Sequence, residues 1–386
     1  MTRPPRLPAL AAAVALTCLA ALTACSSGAE DDTAQTVTAT LLPPIAQPGA
    51  EPAPATDARS VVQATVEPAD EGRALTLERA AGQRWEEAGT AELSGDGTAT
   101  FLVDDPDAEY RVVAEESGDL AATTSEPVEG STSFGDLDFD EAFDGDELAP
   151  IWIHRGAEYN PEGLRACSRG SEDAAEVGGG TLALEVIKDP SRTEQCTAKK
   201  DNGKTLGQFD YRLNGHVATN RLFMYGVTAA RIKFQREQGQ HGSFWLQSPI
   251  AEGDTPAVAG AEIDIVEYFG DSDDDRLASF IYYPTEDGAV KEGDWIEGAS
   301  EFLADKDDDW WKAYHVFSLE WTPDEYVIRI DGQEAWRTDQ GVSQTSEFIV
   351  LSLLSSDYEL PNLPDEDLLP QVMDVDWVRH WLPTEG

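Results

Sequence analysis

The sequence has 386 residues, enough for two domains and a tail. It contains 74 Asp and Glu residues against 27 Lys and Arg residues, and the formal net charge is −47. Nucleic acids and anionic polymers are therefore excluded as expected partners because they would be repelled, and a neutral polymer is the easier ligand. The alternative explanation of the excess of acidic residues is that it only keeps a secreted protein dissolved.

The N-terminus predicts an export signal. Arg3 and Arg6 precede an apolar stretch over residues 7–22, and small residues lead to Cys25. This pattern resembles a bacterial lipobox, which implies a signal peptide over residues 1–24 and lipidation of Cys25. We therefore expect an exported protein, anchored by lipid to the outer face of the membrane at the bacterial cell surface. An ordinary signal peptide with a cysteine nearby by chance is the alternative.

Two further segments precede the main part of the chain. Residues 25–57 are first acidic and polar and then rich in proline, which predicts an extended tether. Residues 58–128 carry short alternating runs that begin at Ser60, Ala74, Gly97 and Tyr110, with Gly, Pro and Asp between them, which predicts a small β-sandwich. It resembles immunoglobulin-like or fibronectin-like modules in architecture only. We interpret it as a spacer, with a sugar-binding module as the alternative.

Residues 132–386 predict one large all-β domain. Alternating segments dominate, tryptophans are frequent, and no long helical period occurs, so a single β-sandwich with a sizeable core is expected. After export and lipidation, Cys167 and Cys196 remain as an even pair in an oxidising compartment. A disulfide between them would close a loop of about 30 residues and contribute roughly 3.5 kcal/mol of stability.

The segment from Gly260 to Gly270 combines a strand pattern with three acids. Glu262 and Asp264 alternate with isoleucines, so both point to one face of the strand. Glu267 would then point into the core, where an unpaired carboxylate is costly. One extra residue, a β-bulge at residue 265 or 266, returns Glu267 to the polar face and gives three carboxylates in a row.

Three neighbouring carboxylates repel one another, which raises at least one pKa. Retaining hydrolysis of a glycosidic bond needs this asymmetry, because one carboxylate must be ionised and the other protonated. The two must lie about 5–5.5 Å apart, so Glu262 and Glu267 require a concave sheet on which their side chains converge. A solvated acidic strand face is the alternative.

The neighbourhood of this segment resembles glycoside hydrolase family 16 in its laminarinase-like, bulged form. The resemblance extends over residues 137–383 and includes the runs 139–145, 179–185, 225–234, 242–246, 314–323, 330–332 and 373–379. It implies a concanavalin-like jelly-roll sandwich of two curved antiparallel sheets. It also implies that Glu262 is the nucleophile, Asp264 the assisting acid and Glu267 the acid/base.

Several other residues are candidates for substrate or metal binding. Trp245 is expected to form a sugar platform, because an aromatic ring stacks on the apolar face of a sugar, with core packing as the alternative. Tyr282 or Tyr283 is expected to replace a histidine that the family often carries on the next strand. Trp311 is a further candidate at a loop beside the cleft, and core packing is equally consistent with its sequence context. By the resemblance, Asp376 fits a ligand of a structural calcium ion.

Together these features predict a retaining endo-β-glycanase that hydrolyses a neutral β-linked polysaccharide, such as β-1,3- or β-1,3-1,4-glucan. No cofactor is required by this chemistry, and we expect a monomer that does not bind nucleic acid. A transglycosylase that remodels a cell-surface glycan would use the same residues. A non-catalytic, lectin-like binding protein on the same sandwich is the alternative from another class.

Overall fold

The computed structural model describes residues 35–384, apart from 201, 251, 273–276, 304 and 306. The predicted signal peptide and the lipidation site Cys25 lie outside these residues. Strands predominate, and the short helices are α1 (Gly130–Ser133), α2 (Pro256–Ala259) and the 3-10 turns Ala55–Asp57, Glu172–Ala174, Ala299–Phe302, Leu360–Asn362 and Glu366–Leu368. None of the helices in these residues has the length and apolar character of a membrane span.

The N-terminal part folds into two small sheets around a core of their own. Its strands are β1 (Thr36–Ala46), β2 (Arg59–Glu67), β3 (Ala74–Ala81), β4 (Arg84–Glu92), β5 (Thr98–Val103), β6 (Tyr110–Ala114) and β7 (Thr123–Thr124). One sheet has the order β1-β2-β5 and the other β4-β3-β6-β7. Every second residue of β5 and β6 is buried, with Phe101 and Val112 in the shared core. The predicted strands are therefore present, and the kinship with immunoglobulin-like modules stays a prediction.

The predicted tether over residues 25–57 is wrong from Thr36 onwards. Residues 36–46 are a strand that pairs with β2, and Val37 and Leu41 are buried in the small core. Pro43 and Pro44 suggested an extended linker, but they lie in the stretch of β1 without regular pairing to β2. β1 is an edge strand, where the missing N–H groups of proline are tolerated. The small sandwich thus begins at about residue 36 rather than 58.

The remaining strands form one large sheet that curls into two layers. They are β8 (Leu137–Glu141), β9 (Trp152–His154), β10 (Ser168–Gly170), β11 (Ala175–Gly178), β12 (Thr181–Lys188), β13 (Gln195–Lys199), β14 (Thr205–Asp210), β15 (Arg212–Thr219), β16 (Gly226–Lys233), β17 (His241–Gln247), β18 (Glu262–Tyr268), β19 (Leu277–Thr285), β20 (Gly288–Trp295), β21 (His315–Trp321), β22 (Tyr326–Ile330), β23 (Gln333–Thr338), β24 (Phe348–Leu354) and β25 (Gln371–Trp381). Only β13 and β14 stand apart, as a separate hairpin.

The layers, which we call the front and back sheets, share β15. The front sheet has the order β20-β19-β18-β17-β24-β15, and the back sheet continues as β15-β12-β25-β16-β21-β22-β23. Residues 212–214 of β15 pair with β12, whereas residues 215–218 pair with β24, so this strand crosses from one layer to the other. The main core lies between the layers, and the predicted jelly-roll sandwich is confirmed.

The small sandwich packs on the outer face of the back sheet. Residues on β16, β21 and β25 alternate between two cores: Ala230, Phe317 and Val378 face the front sheet, whereas Ala229, Val316 and Trp377 contact the small sandwich. Alternation is the normal pattern of a strand, so the back sheet is apolar on both faces. The small sandwich therefore lies on the side of the back sheet opposite the front sheet.

Two buried arginines fasten the segment between β1 and β2 to the back sheet. Arg231 donates from Nε to the Gln47 carbonyl at 2.7 Å, and Arg379 donates from Nη1 to the Ala55 carbonyl at 2.7 Å. The indole N–H of Trp377 donates to Gln47 Oε1 at 2.8 Å. Residues 47–55 consequently form part of the interface between the sandwiches.

The predicted disulfide is present. Cys167 and Cys196 are bonded, with their Cα atoms 5.5 Å apart and a sequence separation of 29. The bond joins the start of β10 to the β13–β14 hairpin and packs against Leu360 and Ala198. It therefore ties the separate hairpin to the large sandwich.

Candidate active site

The acidic strand β18 contains the predicted bulge. Ser243 of β17 lies opposite Glu267, Phe244 opposite Val266, and then Trp245 opposite Asp264, so Ile265 has no partner on β17. The extra residue resets the alternation. Ile263, Ile265 and Val266 are buried in the main core, and all three acids lie on the other face of the front sheet.

The three acids line one cleft of about 460 Å³ on the front sheet. The backbones of Glu262 and Glu267 lie opposite positions 247 and 243 of β17, about 13 Å apart at 3.3 Å per residue. Their side chains must therefore lean towards each other to meet at one bond. The cleft is lined by Leu164, Arg165, His216, His241, Ser243, Trp245, Glu262, Asp264, Glu267, Phe269, Phe280, Tyr282, Lys291, Asp294, Trp295, Ser352, Leu354, Ser356 and Tyr358.

The acids differ in burial and in their neighbours. Burial raises the pKa of Asp264 well above its usual range, and the charges of Glu267 and Glu262 raise it further. Burial and the charge of Glu267 also raise the pKa of Glu262, whereas Arg165, Arg155 and a hydrogen bond from Gln247 at 3.2 Å oppose this. Glu267 accepts a hydrogen bond from Ser243 Oγ at 3.4 Å. A proton is thus held more firmly at Asp264 than at Glu262.

Trp245 lies in the cleft beside the acids, and its role as a sugar platform stays a prediction. Its indole N–H donates to Ser352 Oγ at 3.1 Å, and its ring is stacked with that of His216 at 6.2 Å between centroids. The guanidinium of Arg155 lies 5.6 Å from the ring centroid. The ring is therefore held in a fixed orientation while part of it stays accessible to a ligand.

The predicted tyrosines have different positions. Tyr282 lies opposite Glu262 and lines the cleft, and burial together with the nearby acids raises its pKa to about 12. Tyr283, one position further on, faces the other side of the strand and packs against the main core. Because sequence alone does not fix the register of β19 against β18, it left both tyrosines as candidates.

Trp311 does not line the cleft in the part of the chain that the structure describes. The guanidinium of Arg236 covers its ring at 4.5 Å, and the Lys312 ammonium lies 5.2 Å from the centroid. The predicted roles of Trp311 and Tyr283 in substrate binding are therefore not supported by their positions.

The position of Asp376 does not fit a calcium site. Its carboxylate forms a buried ion pair with Arg231 and accepts a hydrogen bond from the Ala53 amide at 3.2 Å. No group of three or more His, Cys, Asp or Glu side chains among the described residues is arranged to hold a metal ion. The Arg231 guanidinium already balances the charge of the Asp376 carboxylate, which a calcium ion would otherwise balance. The proposed chemistry therefore uses no metal ion.

Sequence reasoning missed several residues of the cleft, above all His216, His241 and Arg165. His241 lies at the start of β17 and alternates with Ser243 and Trp245, so its position on the cleft face was readable from the period of the strand. His216 is held neutral, because burial lowers its pKa to about 3 with help from Arg155 and Arg165. Arg165 comes from a loop whose position the sequence does not reveal.

Comparison with known proteins identifies the class of this domain. Residues 186–353 match the sequence model of the glycosyl hydrolases family 16. These residues are therefore similar to a glycosyl hydrolase family 16 domain, and the protein is a glycoside hydrolase. No curated protein sequence matches the chain.

Two solved structures share the fold. The laminarinase catalytic domain from Thermotoga maritima MSB8 is 21% identical, with a TM-score of 0.50 over 65% of this chain and 100% of that chain. The endo-beta-1,3-glucanase from Pyrococcus furiosus is 22% identical, with a TM-score of 0.51 over 67% of this chain and 98% of that chain. At these identities the likeness concerns the fold of the large sandwich.

Proposed function

We propose that this protein is a retaining endo-β-glycanase that hydrolyses a neutral β-linked polysaccharide, β-1,3- or β-1,3-1,4-glucan, by double displacement. The observation that carries the proposal is the bulge in β18, which brings Glu262, Asp264 and Glu267 to one face of the cleft beside Trp245. The structural neighbours named as a laminarinase and an endo-beta-1,3-glucanase support this substrate class.

In the first step the carboxylate of Glu262 attacks the anomeric carbon, and Glu267 gives its proton to the departing glycosidic oxygen. In the second step Glu267 takes a proton from a water molecule, whose oxygen displaces Glu262 from the sugar. Asp264 retains its own proton more firmly than Glu262, because it is more deeply buried. A neutral Asp264 removes one negative charge from the row, which favours the ionised form of Glu262.

The test measures release of reducing ends from a panel of neutral β-glucans. Glu262→Gln and Glu267→Gln should each reduce kcat by about 10²–10⁴-fold on the glucan that wild type cuts. Glu116→Gln, an exposed change in the small sandwich, is the matched control. Proton NMR of the first product should show the β anomer, and an α anomer would contradict retention.

Two further outcomes separate the alternatives. Added acceptor oligosaccharide that is incorporated into longer products in preference to hydrolysis would identify a transglycosylase. Binding of glucan without cleavage by wild type would refute the hydrolase proposal in favour of a binding protein. The clustering of the three acids in one cleft favours catalysis, because a protein that only binds has no need of them.

We also propose that the protein is exported and anchored by lipid at Cys25. The disulfide supports export, because such bonds persist in oxidising compartments. Metabolic labelling with a fatty acid should modify wild type and not Cys25→Ser.

A further inference from the structure

A buried histidine lies beside the proposed acid/base. His241 Nε2 is 3.9 Å from Glu267 Oε1, within ion-pair distance, and both residues line the cleft. Ser243 Oγ approaches the same oxygen of Glu267 at 3.4 Å. The proposed mechanism gives His241 no role.

A second carboxylate fixes the orientation of this histidine. His241 Nδ1 lies 2.9 and 2.8 Å from the two carboxylate oxygens of Glu359. Because a carboxylate only accepts hydrogen bonds, Nδ1 carries the hydrogen and Nε2 is left for Glu267. Glu359 in turn accepts from the Ser356 amide at 2.8 Å, and the His241 ring is stacked on Phe269 at 5.3 Å.

The charges around His241 favour a proton on the ring. Burial alone lowers the pKa of His241, but the charge and hydrogen bond of Glu359 and the charge of Glu267 outweigh it, so the pKa is raised. Arg165, from the loop before β10, opposes them. His216, on the neighbouring part of the front sheet, is neutral and adds no charge.

We propose that His241, oriented by Glu359, is a positioning residue that shares one proton with Glu267 and keeps that proton available for the leaving group. This inference rests on the proposed function. It adds a role for two residues that neither the motif of β18 nor the row of three acids predicts.

The pair formed by His241 and Glu267 holds one proton at the start and at the end of the catalytic cycle. One form of the pair is an imidazolium beside a Glu267 carboxylate, and the other is neutral His241 beside a protonated Glu267. Because the two atoms are 3.9 Å apart, the proton passes between them through a water molecule in the cleft. From the second form, Glu267 gives its proton to the glycosidic oxygen, which leaves a carboxylate beside a neutral imidazole. Glu267 then takes a proton from the attacking water, and the pair again holds one proton. No other donor is needed over the whole cycle.

A shared proton changes the pH dependence of the enzyme. Activity persists until the pair loses its last proton, at a pH that belongs to both groups together. Ordinary glutamates titrate near pH 4.3 and ordinary histidines near pH 6.5, so a pair with histidine retains its proton to higher pH than carboxyl groups alone. Loss of His241 should therefore move the alkaline limb of the kcat/KM profile to lower pH.

The experiment compares the pH profiles of kcat/KM for wild type, His241→Asn and Glu359→Gln on the glucan that wild type cuts. Asparagine retains a side-chain N–H towards Glu359 but does not titrate. We expect both variants to move the alkaline limb down by one pH unit or more, with a loss above tenfold at the pH where wild type begins to decline. His154→Asn, exposed on β9, is the matched control.

A uniform loss of activity with an unmoved alkaline limb would overturn the inference, because a structural role lowers activity at every pH. Aryl glycosides of the same oligosaccharide provide a second readout. A good leaving group needs no proton, so His241→Asn should reduce kcat/KM much less for a dinitrophenyl glycoside than for the glucan. Equal losses on both substrates would also refute the sharing of a proton.

Failure of the proposed function and failure of the shared proton give different experimental results. If wild type cuts no glucan, the proposed function fails, yet NMR titration of the His241 ring needs no substrate. The ring pKa should fall in Glu359→Gln and also in Glu267→Gln, because each variant removes a neighbouring negative charge. An unchanged pKa in Glu267→Gln would show that the two groups are not coupled.

Discussion

Glu347 offers a quantitative test of how the acidic strand β18 is supported. This side chain, directly before β24, is fully buried and accepts a hydrogen bond at 2.9 Å from the amide of Ala261, the residue before Glu262. Burial raises its pKa from 4.5 to about 7. Below pH 4.5 the carboxyl group is protonated in both folded and unfolded chains, so its contribution to stability is fully present there.

Between pH 4.5 and 7 the unfolded chain ionises while the folded chain does not, and stability falls. At 1.36 kcal/mol for each pH unit, the loss is about 3 kcal/mol. Glu347→Gln has nearly the same shape, still accepts from Ala261, and does not ionise. Relative to wild type, we therefore expect this variant to gain about 3 kcal/mol in unfolding free energy between pH 4.5 and 8.

The assay is urea unfolding, followed by tryptophan fluorescence, at pH 4.5 and pH 8 for wild type and Glu347→Gln. Each variant is compared with wild type at the same pH, which cancels the general repulsion of a chain with net charge −47. Glu116→Gln, an exposed change, should show no such pH-dependent gain. If the difference between Glu347→Gln and wild type is the same at both pH values, the buried carboxyl group is not the cause and the reasoning is refuted.

Three further predictions concern the cleft and the disulfide. Asp264→Asn should retain at least tenfold more activity than Asp264→Ala in the reducing-end assay, because an amide keeps a neutral hydrogen-bonding group between the two glutamates. Equal activities of the two variants would contradict a role for the proton of Asp264. Trp245→Ala should raise KM about tenfold, which corresponds to about 1.4 kcal/mol of lost stacking, whereas Trp245→Phe should retain most of the affinity. Similar KM values for both variants would refute the role of Trp245 as a sugar platform. Replacing Cys167 and Cys196 together by serine should lower the unfolding free energy by about 3.5 kcal/mol in urea titrations. An unchanged urea midpoint would show that the loop between the two cysteines is already ordered without the disulfide.

The sequence predicted those features that follow from the alternation of residues within one strand or from the count of one residue type. A bulge at residue 265 or 266 was required because Glu267 would otherwise be buried without a partner, and the structure contains it at residue 265. The disulfide followed from an even count of cysteines, and the cleft position of Trp245 from its alternation with Phe244 and Leu246. Each of these predictions needed only one strand or one pair of residues.

Features that depend on contacts between distant segments were not predictable. The prolines of β1 suggested a tether because nothing local shows that β2 pairs with that strand. The partner of His241 is Glu359, 118 positions away, and Asp376 is balanced by Arg231, 145 positions away. Such pairs become visible only once the register and the packing of both sheets are known.

The course of β1 determines how the large sandwich bears mechanical load. Thr36 pairs with Glu67 at one end of the small sandwich, and Ala46, ten residues later, packs against the back sheet. Force on the chain ahead of Thr36, opposed by a polymer held in the cleft, would therefore act along β1. The strand would be pulled in shear against β2, so that many backbone hydrogen bonds share the force rather than break one after another.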